Sequence, residues 1–252
     1  MLETRSLTIR FGGHVAVDHV SCVFDVGTLT AIVGPNGAGK TSYFNLISGQ
    51  LQASEGQVLL NGRDITALPA PMRTRAGLGR AFQLTQLFPN LSVLENVRLA
   101  VQSRHGGGLD MLRVWRDRSA WISEARALLA DVQLDDKRDA TAASLPHGDQ
   151  RKLEVALLMA LDPLVYMFDE PTAGMSVDEV PVVLDLIRKL KTRRDRTVLL
   201  VEHKMDVVSE LADRIVVLHN GALVADGLPA AVIASPIVQS AYLGIAVEAS
   251  AA

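Results

Sequence analysis

Gly34-Pro35-Asn36-Gly37-Ala38-Gly39-Lys40-Thr41 fits the pattern G-x-x-x-x-G-K-[ST] at every fixed position. Before it, Leu29-Thr30-Ala31-Ile32-Val33 is short, apolar and β-branched, as a buried parallel strand should be. After it, Ser42 to Ile47 begins a helix, with Phe44 and Ile47 spaced to face a core. A strand–loop–helix context is what this motif's chemistry needs. Its glycines let successive backbone N–H groups turn onto phosphate oxygens, and the helix N-terminus adds its positive dipole end. The Lys40 ammonium suits the β- and γ-phosphates, and the Thr41 hydroxyl suits Mg²⁺. The competing reading, a chance Gly-rich turn beside a solvated lysine, leaves the flanking pattern unexplained. These residues predict a protein that binds a nucleoside triphosphate.

Upstream of the loop, residues 2–33 read as strands. Leu7, Ile9 and Phe11 alternate with polar residues, Gly12-Gly13 supplies a turn, and Val15, Val17, Val20 and Val23 resume the pattern. This predicts an antiparallel sheet beside the nucleotide site. Phe11 ends the first strand, where its ring can stack on a purine or pack in the core.

Downstream, Ser54-Glu55-Gly56 reads as a bend, and Val58-Leu59-Leu60 followed by Asn61-Gly62 as a strand entering a hairpin. Ser92 and Glu95 form a capping box before a helix. Gly106-Gly107-Gly108 reads as a flexible break, and helical spacing follows at Ile122, Ala125, Leu129 and Val132. Apolar positions 153, 156, 157, 160 and 161 mark one helix face, and Pro163 ends that helix. A mostly helical subdomain inserted into an α/β core is the expectation.

The core pattern then returns. Leu164-Val165-Tyr166-Met167-Phe168 is an apolar strand ending in Asp169-Glu170, and Thr197-Val198-Leu199-Leu200-Val201 is another, ending in Glu202-His203. Between them Val180 to Leu190 reads as an amphipathic helix, with Pro181 tolerated at its start. Asn220-Gly221 marks a second hairpin, and residues 229–234 and 236–243 read as closing helices. Strand ends in an open parallel sheet converge on the ligand crevice. Asp169 is therefore placed to hold Mg²⁺ opposite Thr41, the Walker B role. Glu170, pointing elsewhere, is placed to polarise a water that attacks the γ-phosphate, and His203 to hold that phosphate and the water. A solvated strand end and a packing histidine are the bland readings of the same residues.

Composition narrows the class. The chain has 252 residues, of which 48% are hydrophobic and 21% charged, the profile of an ordinary globular protein. A formal net charge of −3 gives no electrostatic reason to expect a nucleic acid partner. Cys22 is the one cysteine, so an intrachain disulfide is excluded and a reducing compartment is expected. No apolar run approaches the ~20 residues of a membrane span, and Met1-Leu2-Glu3-Thr4-Arg5 lacks a secretory h-region. The expectation is a soluble cytosolic chain, able to work at a membrane through a partner.

The order of these motifs over nearly the whole chain resembles the ATP-binding subunit of an ABC transporter. The phosphate loop is GPNGAGKT, the Q-loop glutamine is Gln83 in GRAFQLTQLF, the Walker B strand is LVYMFDE, and the switch histidine is His203 in LLVEHKMD. Within that family GRAFQLTQLFPNLSVLENV, LPHGDQRKLEVALLMALDP and QSAYLG resemble the branched-chain amino acid importer group. The resemblance implies a P-loop NTPase fold with a RecA-like α/β core, an antiparallel β subdomain and an inserted helical subdomain at about 84–162. The whole would be one domain spanning 2–244. It implies ATP and Mg²⁺ as ligands. Phe11 would stack on the adenine, residues Gly34, Pro35, Asn36, Gly37, Ala38, Gly39, Lys40, Thr41 and Ser42 would hold the nucleotide, and Thr41, Gln83 and Asp169 would serve the metal. Glu170, His203 and Gln83 would be catalytic, and Gly148 would meet ATP held by a second ATP-binding subunit, identical or homologous. Transmembrane permease subunits and, indirectly, a solute-binding protein are the further partners implied. No nucleic acid is implied. The place of work is the cytoplasmic face of the inner membrane, as a peripheral subunit, and the activity is ATP hydrolysis that powers import of branched-chain amino acids or a related small solute. Leu84, Leu87 and Phe88 suit a permease-docking groove or the subdomain core equally.

The chain departs from the family pattern in its signature. LSGGQ appears as Leu145-Pro146-His147-Gly148-Asp149, and the D-loop reads Ala173-Gly174-Met175-Ser176. A non-transport ABC ATPase and a weakly hydrolysing regulatory subunit are the alternatives. A P-loop kinase or GTPase accounts for neither Gln83 nor His203.

Overall fold

The computed structural model describes residues 1–81, 87–106 and 119–243, the last three by backbone alone. Its first sheet follows the alternation near the N-terminus. Strands β1 (Leu2–Phe11) and β2 (His14–Phe24) pair antiparallel across the Gly12-Gly13 turn. Strand β4 (Glu55–Leu60) adds to the other edge of β1, and the short β5 (Arg63–Asp64) completes the order β2-β1-β4-β5. Asn61 and Gly62 both take positive φ, 50° and 79°, as a tight hairpin requires. The expected bend falls at Ser54, and Glu55 and Gly56 already begin β4. Gly56 has φ 87°, and a Cβ there would sit 2.3 Å from the Ser6 carbonyl oxygen, so the glycine serves an irregular pairing between Arg5 and Thr8.

The second sheet carries the site. Strands β3 (Leu29–Val33), β6 (Leu78–Ala81), β7 (Val165–Asp169), β8 (Thr197–Val201) and β9 (Arg214–His219) run parallel in the order β9-β3-β8-β7-β6. Antiparallel β10 (Ala222–Gly227) closes the β9 edge. All residues of β3, β7 and β8 are buried, which is why their sequences read as unbroken apolar runs. Alternate side chains feed two cores. Ile32, Met167, Leu199 and Val201 face the antiparallel sheet and α1 (Lys40–Ser48), while Val33, Phe168, Val198 and Leu200 face the other helices.

Between β6 and β7 the described residues hold helices and no β-strand element. After the short α2 (Ala70–Arg75) before β6 come α3 (Val93–Arg104), α4 (Ser119–Asp131) and α5 (His147–Leu161), which pack on one another. Ser92 caps α3, its Oγ accepting from the Glu95 N–H at 3.1 Å. The reciprocal half of the expected capping box differs: the Glu95 carboxylate takes the Arg98 guanidinium. Helix α5 departs from the expected single apolar face. Val155 and Leu158 are buried with Leu153, Ala156 and Ala160, whereas Leu157 and Leu161 are half-buried. Its central position explains this, because α3, α4 and β6 surround it. The polar side chains buried with it pair as Arg151–Glu154 and Asp149–Lys152.

Helix α6 (Val180–Thr192) starts with Pro181 in its first turn, as expected, and buries Val183, Leu184, Leu186, Ile187 and Leu190. Helices α7 (Met205–Leu211), α8 (Pro229–Ile233) and α9 (Pro236–Leu243) finish the described chain. No described helix is long and apolar enough to cross a membrane.

Candidate active site

The glycine-rich loop leaves β3 and enters α1 at Lys40, two residues earlier than the sequence pattern suggested. Gly39 caps that helix with φ 95°, and a Cβ there would lie 2.3 Å from the Ala16 carbonyl oxygen. The loop is thus pressed against β2, with no space for a side chain at that turn. Lys40 is only 7% exposed. Its ammonium donates to the carbonyls of Gly34 at 2.7 Å and Pro35 at 3.0 Å, which ties the loop to itself. Burial pushes the Lys40 pKa below the ordinary lysine value, and the charges of Glu170 and Asp169 oppose that shift.

A cleft of ≈ 400 Å³ opens over the loop, lined by residues 36–42 together with Phe11, His14, Ala16 and Glu170. Phe11 is 50% exposed at the end of β1, so core packing does not account for it. His14 and Ala16 lie just across the Gly12-Gly13 turn, and the sequence pattern had not singled them out.

The two adjacent carboxylates part at the end of β7. Asp169 is the last residue of that strand and is buried, while Glu170 has φ 48°, an uncommon conformation for a side-chain-bearing residue. The Glu170 N–H donates to the Val201 carbonyl at 3.0 Å, which fixes this turn against β8. The left-handed step aims Glu170 into the cleft lining and leaves Asp169 behind it. His203, just after β8 and half exposed, has Nδ1 3.8 Å from Glu170 Oε1.

Glu202, adjacent to His203, is 1% exposed. Its Oε1 accepts from Thr172 Oγ1 at 2.9 Å, and its Oε2 accepts from the N–H groups of His203 at 3.0 Å and Lys204 at 3.3 Å. One buried carboxylate therefore fastens the turn after β7 to the turn after β8. Its only sequence signal was an acid directly before the histidine at an apolar strand end.

Asp169 Oδ2 accepts from Arg80 Nη2 at 2.7 Å, and Oδ1 is buried without a hydrogen-bond partner among the described residues. A buried carboxylate oxygen left over in this way suits a hard dication or its water shell, as does the Thr41 hydroxyl in the cleft lining. These oxygen donors fit Mg²⁺. Gln83, Leu84, Gly107, Gly108 and Gly244 of QSAYLG lie outside the described residues.

Gly148 is not among the described residues that line the cleft. Pro146 precedes α5 in an extended conformation with no side-chain cap, and His147 and Gly148 begin the helix. The Glu179 carboxylate lies against Gly148, where a Cβ would meet Oε1 at 2.1 Å. Glu179 also accepts from the N–H of Ser176 at 3.0 Å and from its Oγ at 2.9 Å. Asp149 is held by Lys137 and Lys152. Burial alone would raise the Asp149 pKa, but the two lysines outweigh it and hold the carboxyl below its usual range.

The ABC transporter family model matches residues 17–173. The chain is 37% identical over 250 residues to the high-affinity branched-chain amino acid transport ATP-binding protein BraF of Pseudomonas aeruginosa, covering 97% of this chain and 98% of that one. It is 35% identical over 249 residues to the corresponding protein LivG of Escherichia coli, again 97% and 98% of the two chains. Among solved structures, a nucleotide-free ATP-binding cassette from an ABC transporter superposes with TM-score 0.81 at 28% identity, covering 97% of this chain and 99% of that one. An ATP-binding cassette in its ADP conformation matches with the same TM-score of 0.81 and 28% identity, and with the same coverage of 97% and 99%.

Proposed function

Because this chain belongs to the ABC transporter family of ATP-binding proteins, we propose that it binds and hydrolyses ATP to power import of branched-chain amino acids or a related small solute. The observation that carries the reading is one cleft whose lining holds the phosphate loop, the exposed ring of Phe11 and the carboxylate of Glu170. The solute class rests on the relatives BraF and LivG, which are branched-chain amino acid transport ATP-binding proteins.

In this reading residues 2–244 act as one ATP-binding domain, with the helices of about 84–162 as an inserted subdomain. Phe11 takes the purine face, and residues 34–42 wrap the phosphates with backbone N–H groups and the Lys40 ammonium. Lys40 is already desolvated, so moving from two carbonyls to phosphate oxygens strengthens its contacts without new burial. Glu170 accepts a proton from water as the water oxygen attacks the γ-phosphorus. The bond from that phosphorus to the bridging oxygen breaks, its electron pair leaves with ADP, and inorganic phosphate forms. His203, beside Glu170, steadies the water and the γ-phosphate, a task shared with Gln83. Thr41, Asp169 and Gln83 would hold Mg²⁺, which would supply charge neutralisation to the bound phosphates. Glu202 supports the chemistry from behind by locking Thr172 and the His203 turn together.

The partners in this reading are a second ATP-binding subunit, whose ATP meets the turn at Gly148, and transmembrane permeases at the inner face of the cell membrane. A solute-binding protein acts further upstream. Co-purification from native membranes and reconstitution into vesicles test this. Permeases should accompany the chain, ATP turnover should rise with them, and Glu170→Gln should abolish amino acid uptake while the complex still assembles. A chain that hydrolyses ATP but captures no membrane subunit would overturn the transport role.

A further inference from the structure

The two oxygen donors suited to a cation sit on different elements: Thr41 begins α1 and Asp169 ends β7. A single side chain from a third element joins these two. Arg80, on the edge strand β6, donates from Nη2 to Asp169 Oδ2 at 2.7 Å. From Nη1 it donates to Asn45 Oδ1 at 2.6 Å and Ser48 Oγ at 2.9 Å, both on α1. Its guanidinium also lies 5.4 Å from the centroid of the Phe44 ring. Both members of the Arg80–Asp169 pair are almost fully buried, with side-chain exposures of 6% and 0%.

Burying such a pair costs desolvation, and well-packed apolar residues often serve stability as well or better. Stability alone is therefore a weak reason for its presence. The geometry gives a stronger one. A carboxylate held by one oxygen has its plane and rotamer fixed, and the other oxygen, here Oδ1, stays free of hydrogen bonds among the described residues. The planar fork of arginine lets the same group grip α1, which lysine, a point donor, cannot do as well.

We infer that Arg80 is a positioning residue for the divalent cation that accompanies the nucleotide: it sets Asp169 against α1 so that the carboxylate and Thr41 act together. This rests on the nucleotide reading of the cleft. Partners that orient a metal-ligating carboxylate typically change metal affinity by roughly 10–100-fold. A merely structural arginine would instead affect nucleotide binding with and without metal alike.

The test is equilibrium binding of ATP to the full chain, in chelator and in saturating Mg²⁺, for the parent, Arg80→Met and Arg80→Lys. The spectroscopic signal of Mn²⁺ with ATP provides a second readout. For Arg80→Met, affinity in chelator should stay within about twofold of the parent, while the enhancement by Mg²⁺ falls at least ~10-fold and the bound Mn²⁺ signal weakens. Arg80→Lys should recover part of the enhancement. An undiminished enhancement in Arg80→Met, or an equal loss with and without metal, would overturn the inference. If Arg80→Met does not fold, Arg80→Lys decides: a reduced enhancement at unchanged chelator affinity supports the bridge, and a full enhancement refutes it. A parent that binds ATP without metal enhancement would also overturn the inference, whereas a parent that binds no ATP would remove the underlying nucleotide reading instead.

Discussion

At the scale of single residues, the chain separates side chains that hold the fold from those left over for a ligand. Phe11 is proposed for the second group, because half of its surface is exposed and it lines the cleft. Phe11→Ala should leave the thermal midpoint nearly unchanged and weaken ATP and GTP together by roughly 1–3 kcal/mol, since stacking reads a π-face. A variant that loses stability but keeps its affinity, followed by calorimetry, would contradict that role. Much at this scale was legible in the sequence. Gly34 to Thr41, Asp169, Glu170 and His203 stand at strand ends, where an apolar run gives way abruptly to a polar residue. Arg80 and Glu202 were not singled out. Each acts through contacts from other parts of the chain, Asn45, Ser48 and Asp169 for Arg80 and Thr172 for Glu202, and no local spacing encodes such partners. His14 and Ala16 were missed for the same reason, since only the β1–β2 hairpin brings them to the cleft.

Among the elements, the parallel strands and the helices after them were readable because burial on both faces leaves a continuous apolar run. Strand β6 was not readable in this way, and helix α5 was read as a helix but not in the width of its buried face. Strand β6 is short, contains Gly79 and Arg80, and carries no period of its own. Helix α5 is enclosed, so its apolar face widens beyond any stripe, and its polar residues are buried in pairs. Asp149 shows the consequence. It lies in the first turn of α5, where a negative charge also suits the helix dipole, and two lysines hold its pKa below the ordinary value. A carboxyl with a depressed folded pKa contributes stability above its unfolded pKa and loses it as pH falls through the folded value. Asp149→Asn should therefore cost about 1–2 kcal/mol at pH 7 by denaturant unfolding. The gap to the parent should close as pH drops below about 4. A gap independent of pH would show that shape, not charge, matters at this position. The turn before α5 gives a further prediction. Pro146 offers neither a hydroxyl nor an N–H to a γ-phosphate presented by a second subunit. In a Glu170→Gln background, Pro146→Ser should lower the ATP concentration needed for pairing by about tenfold or more, read by sedimentation. An unchanged midpoint would mean that the backbone at His147 and Gly148 already supplies the contact.

For the molecule as a whole, two sheets and two cores converge on one cleft. The antiparallel sheet brings Phe11, the parallel sheet brings the phosphate loop and Glu170 with His203 beside it, and Arg80 and Glu202 fasten neighbouring elements behind them. Under the proposed function, this arrangement makes binding and hydrolysis separable. Asp169→Asn should weaken the metal-dependent part of ATP binding, because it removes charge from the buried carboxylate. Glu170→Gln removes charge from the cleft lining while keeping the side chain's shape. Measuring ATP affinity and turnover of Glu170→Gln on the same preparation is the most direct test that this chain is an ATPase working through that carboxylate. Affinity should stay within about threefold of the parent, while turnover falls at least ~100-fold. Turnover that survives the substitution, or affinity that collapses with it, would contradict the assignment of Glu170 and with it the mechanism.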